Sequence, residues 1–152
     1  MYEKVLALHN VLRWVALLMV LWVFVRAVRG TTGGRQFTLA DKSVSRFATI
    51  AVDVQLLAGL TLYFVSPIVK SAFQDFGAAM KEKEQRYFAV EHALVMLIAV
   101  ACVHIGKVTA SKANSDAARH RRTMVWFGIA LALMALRTPW PFTSMPRPWF
   151  PG

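Results

Sequence analysis

The chain has 152 residues, 57% of them hydrophobic, with a mean hydropathy of +0.45. That length suits one domain, and the apolar content exceeds that of an ordinary soluble domain. The formal net charge of +10 does not mark a nucleic-acid binder, because the charges cluster in short segments between apolar runs, as in a membrane protein whose loops meet anionic lipid. One cysteine, Cys102, excludes a disulfide framework and reads as a small hydrophobe within an apolar run.

Four apolar runs follow in chain order, and they predict spanning helices over about 5–27, 45–66, 86–107 and 121–138. The first run, "EKVLALHNVLRWVALLMVLWVFV", is too long for the core of a signal peptide and has no small-residue cleavage site. It carries His9, Asn10 and Arg13 inside the apolar stretch. The segment "RGTTGGRQFTLADKS" predicts a Gly/Thr turn and then a helix start. The second run holds Asp53, Gln55 and Gly59. After it, Ile68, Val69, Ala72, Phe73 and Phe76 recur at helical spacing, as an amphipathic segment on the outer surface or as a connector packed on the bundle. The third run opens with Glu91 and His92 and carries His104. The fourth is short and extends into "RTPWPF". The Pro/Trp-rich tail, 139–152, cannot be a regular helix, and its tryptophans suit an interfacial aromatic belt. The expected fold is all-α: one integral membrane domain, a four-helix antiparallel bundle.

Lysine and arginine set the orientation. The first and third loops share one side and carry ten basic residues, and the opposite side carries seven. The positive-inside rule then puts both termini in the periplasm of a bacterial inner membrane.

Ionisable groups within spanning helices cost at least about 2.5–3.5 kcal/mol near the bilayer centre and are functional candidates by default. His9 and His92 each lie about 6 Å inside the outer end of their helices at 1.5 Å per residue. Arg13 shares the face of His9, since i and i+4 align. Glu91 stands beside His92, and Arg137 returns to the same side. Three readings stay open for this cluster. His9 and His92 ligate a haem iron, with Arg13 pairing a propionate. Alternatively, His and Arg hydrogen-bond a quinone. In the third, Arg13 and Glu91 form a structural ion pair inside a cofactor-free bundle.

His104 follows His92 by about 18 Å along the axis, the separation of two stacked haems. Its partner in a second site would be His120, although "RHRR" reads equally as a solvated basic collar on anionic lipid. Asp53, about 9 Å from Phe47 in the inner half of the second helix, serves proton uptake or bonds a neighbouring helix. Gln55 and Gly59, four residues apart, make a small polar strip for close helix packing.

The stretches "LHNVLRW", "QLLAGLTLYFVSPIV", "RYFAVEHALVMLIAVA", "RHRR" and "PWPF" resemble, in order and over nearly the whole chain, a family of small four-helix membrane proteins of Bacteroidota-type bacteria commonly labelled "cytochrome B". The resemblance implies haem b and electron exchange with a quinone or a respiratory partner. His9, Arg13, Gln55, Glu91, His92 and His120 match family positions. Asp53 departs, standing where the family often has histidine in an H-x-Q pattern, and His104 is particular to this chain. The departure keeps an accessory subunit of a larger membrane complex, or a self-associating bundle, as the alternative. No nucleophile elbow, metal-protease helix or phosphate loop is present to support chemistry on a soluble substrate.

Overall fold

A computed structural model describes residues 1–144 and Arg147. The expectation that the tail tryptophans sit at the interface concerns Trp140, which is described, and Trp149, which lies outside the described residues.

Among the described residues every regular element is helical. Helix α1, Tyr2–Thr32, runs past its apolar stretch through Arg26 and Arg29. Gly34, at φ +57°, then takes the left-handed conformation that turns the chain. Helix α2, Leu39–Val65, starts where the loop composition places a start. Thr38 and Asp41 form a reciprocal capping box, and Asp41 also receives Arg26 of α1 at 2.8 Å. Ser66 caps the short helix α3, Pro67–Gln74, whose Pro67 occupies the first turn, where its missing N–H is harmless. Two single turns follow, α4, Phe76–Ala79, and α5, Lys83–Arg86. A π-helical turn, Tyr87–Glu91, leads directly into α6, His92–Ser111. Ser115 caps α7, Asp116–Arg137.

Three helical stretches are long and apolar enough to cross a membrane: Tyr2–Thr32, Leu39–Val65 and the continuous run Lys83–Ser111. Helix α7 does not join them, because Arg119, Arg121 and Arg122 occupy its first turns. It packs along both α1 and α6, while α1 also packs along α2 and the contact between α2 and α6 is sparse. Neighbouring helices run antiparallel. The start of α1 meets the second half of α2 through His9 and Gln55, and the start of α6 meets the end of α7 through His92 and Arg137.

Small residues let the backbones approach. Ala16 and Val20 of α1, Ala48 of α2, Ala99 and Val103 of α6 and Phe127 of α7 form the dry core. Cys102 is buried there as a small hydrophobe. Leu8, Val11, Leu18 and Trp22 of α1 point outward. With no lipid-to-core hydrophobic gradient, such bundles rest on close packing and interhelical hydrogen bonds.

Candidate functional site

Around its second and third turns the first helix turns polar residues inward and apolar ones outward. Asn10 and Arg13 are each only 6% exposed, while Leu8, Val11 and Val15 around them are about half exposed. His9 lies against α2. Gln55 Nε2 approaches His9 Nε2 at 3.3 Å, and Gly59, one turn further, leaves room for the ring. A Cβ at position 59 would stand 3.1 Å from His9 Cε1. The Gln55/Gly59 strip is thus a seat for an imidazole. Arg13, one turn deeper, lies 5.6 Å from the Trp14 ring and 5.7 Å from the Trp140 ring.

His92 is placed by the other end of the chain. Its Nδ1–H donates to the Arg137 carbonyl at 2.9 Å, and the Tyr87 hydroxyl donates to the same oxygen at 2.6 Å. That carbonyl belongs to the last turn of α7, where no intrahelical donor remains. Tyr63 of α2 donates to the Ala89 carbonyl within the π-turn at 2.6 Å. The π-turn is therefore held from both sides, and it sets the rotation at which Glu91 and His92 enter α6.

Glu91 does not pair with Arg13. Its carboxylate is shared by Arg86 at 2.9 Å and Arg137 at 3.3 Å, each the last residue of its helix. The i+5 neighbour across the π-turn reaches it first, and Arg13 points to the tryptophans instead.

One cavity of about 360 Å³ joins these groups. His9, Arg13 and Gln55 line it from α1 and α2, and His92 lines it from α6. The remaining lining is largely apolar, with Leu56, Met96 and Val100 among it. Two buried polar atoms in it, His9 Nδ1 and Gln55 Oε1, have no hydrogen-bond partner among the described residues. Their roles follow from the contact they flank. The Gln55 amide donates, so His9 Nε2 accepts and the ring proton sits on Nδ1. An unsatisfied donor thus lies near an unsatisfied acceptor. In neutral His92 the proton sits on Nδ1 and Nε2 keeps a lone pair.

These tautomers bear on haem. His92 is held as an axial ligand is held, by its far nitrogen on a carbonyl. His9 is not: its lone pair is taken by Gln55 and its other nitrogen carries the proton. As held, His9 turns its Nε2 to Gln55, and a haem iron between His9 and His92 would have to displace that contact. Among the described residues no group of three or more His, Cys, Asp or Glu gathers as a metal site.

The two histidines expected to share a second site are engaged separately. His104 Nε2 bonds Asp53 Oδ1 of α2 at 2.7 Å. Asp53 thus bonds a neighbouring helix through His104. His120 is 2% exposed, not a solvated collar. Its Nε2 reaches the Gln36 carbonyl at 3.3 Å, its ring meets Phe37 edge-on, and Gly30 makes space for it. The residues missed from sequence are Tyr63 and Tyr87, whose hydroxyls fix the π-turn. Tyrosines at helix ends are too common to have singled them out.

No family model, curated protein or solved structure matches this chain. The features described define a helical protein with three helices fit to cross a membrane and a polar-headed cavity among them.

Proposed function

We propose that the chain is a bacterial inner-membrane redox component, a four-helix antiparallel bundle with both termini outside, that binds a lipid-soluble quinone or quinol in the cavity between α1, α2 and α6. The observation that carries this reading is the unsatisfied donor and acceptor, His9 Nδ1 and Gln55 Oε1, in one apolar cavity. A buried polar atom left unpaired costs about 1–3 kcal/mol. A quinone carbonyl relieves the donor, and a quinol hydroxyl relieves both, accepting from His9 and donating to Gln55. Arg13, buried one turn deeper, adds positive potential that favours partial negative charge on the ligand oxygen. His92 Nε2 is a further acceptor on the α6 wall. The volume lies at the lower end of the range for small-molecule pockets, which suits a single substituted ring.

The test is a titration of purified protein in lipid nanodiscs with a short-chain benzoquinone or naphthoquinone, read by quenching of Trp14 and the other tryptophans. Saturable binding is expected, weakened by about threefold to tenfold on His9→Ala or Gln55→Leu, the loss of one or two hydrogen bonds. Binding that neither change affects, or none at all, overturns the reading. A reduced-minus-oxidised α-band in protein from haem-replete cells would replace it with the b-type cytochrome. Absence of both quinone binding and haem would leave the cofactor-free accessory subunit.

A further inference from the structure

The Asp53–His104 pair stands apart from the cavity reading and does not rest on it. It joins α2 to α6 at 2.7 Å, yet its two side chains remain 42% and 47% exposed on the outer face of the helices. That face is otherwise apolar: Ile50, Val54 and Leu57 of α2 and Ile105 of α6 are all exposed. Asp53 is seven residues from Arg46, so about 10 Å further into the span at 1.5 Å per residue. Both side chains are short and cannot snorkel far toward water. Left facing lipid, the pair would be an expensive polar patch in an apolar surface.

Neither side chain makes another hydrogen bond among the described residues. Asp53 therefore keeps a free acceptor, Oδ2, and His104 keeps a second ring nitrogen, Nδ1. Bonded to one another, the two lie at the same membrane depth. A two-fold axis along the membrane normal preserves depth and reverses left and right. It would place Asp53 of one copy opposite His104 of the next, and His104 opposite Asp53. With a proton on each ring nitrogen of His104 and both Asp53 oxygens accepting, the four groups close a ring of alternating donor and acceptor. Symmetric self-complementarity of this kind is what an isologous interface requires, and polar side chains are the usual interhelical glue in lipid.

We propose that the α2/α6 face is a homodimer interface, organised by reciprocal Asp53–His104 contacts between two copies of this chain. The occupant is a second copy rather than an unrelated helix, because the exposed pair is complementary to its own two-fold image.

The full-length chain in nanodiscs or native membranes tests this. In a Cys102→Ala background, Ala101→Cys, exposed one turn from His104, is treated with a short bismaleimide, and native mass spectrometry follows the mass. A species of twice 17.0 kDa is expected. Asp53→Leu or His104→Leu should each weaken dimerisation by about tenfold. The exchange Asp53→His with His104→Asp keeps the alternation and should restore it, which separates a lost interface from a misfolded chain. Leu18→Cys on the far face of α1 should not cross-link. A chain that stays monomeric at every lipid-to-protein ratio overturns the proposal. So does a dimer indifferent to both leucine substitutions, or one that cross-links only through Leu18→Cys.

Discussion

The His9 imidazole sits in the notch that Gly59 leaves on α2, with Gln55 closing on its Nε2 at 3.3 Å. Filling the notch should move the ring. Gly59→Leu puts side-chain atoms where His9 Cε1 now lies, an overpacking that costs typically about 1–3 kcal/mol. Thermal unfolding in detergent should show that loss. His9→Ala in the same background should recover stability but not quinone binding. If Gly59→Leu leaves quinone affinity unchanged, His9 does not contact the ligand.

Gly30 and His120 offer a sharper steric test. A Cβ at position 30 would collide with the buried His120 ring. Gly30→Ala should therefore destabilise, whereas Gly→Ala at an exposed helical position is normally stabilising. Adding His120→Ala should relieve the clash, so the two effects should be strongly non-additive in a double-mutant cycle. Additive effects would mean that the two positions do not touch.

Glu91 should couple to Arg86 and Arg137, and not to Arg13. The pairs are partly exposed, so each coupling is expected at about 0.2–1 kcal/mol and should shrink with added salt. Double-mutant cycles of Glu91→Gln with Arg86→Gln and with Arg13→Gln make the comparison. A larger coupling to Arg13 would restore the ion pair expected from sequence.

The orientation is open to direct labelling. Ser71 in α3 and Ser111 at the end of α6 are both exposed and lie at opposite ends of the helices. With Cys102 replaced by Ala, a membrane-impermeant maleimide added from the periplasm should label Ser71→Cys and spare Ser111→Cys. The reverse pattern would invert the topology.

Hydropathy and spacing were enough to mark where this chain becomes helical, because in lipid each segment must satisfy its own backbone, and that demand is local. They also put His9 and Arg13 on one stripe, since a single helix fixes its own i, i+4 geometry. The seat for His9 was half legible, as the Gln55/Gly59 strip announced a place of close approach without saying what would fill it. What local pattern does not contain is the rotation and register of one helix against another. Those are decided by packing across the whole bundle. They send Glu91 to Arg86 through a π-turn, bury His120 against Gly30 ninety residues away, and join Asp53 to His104 across fifty-one. Each of these pairings depends on side chains from separate helices arriving at one depth and one angle, a condition only the folded chain sets.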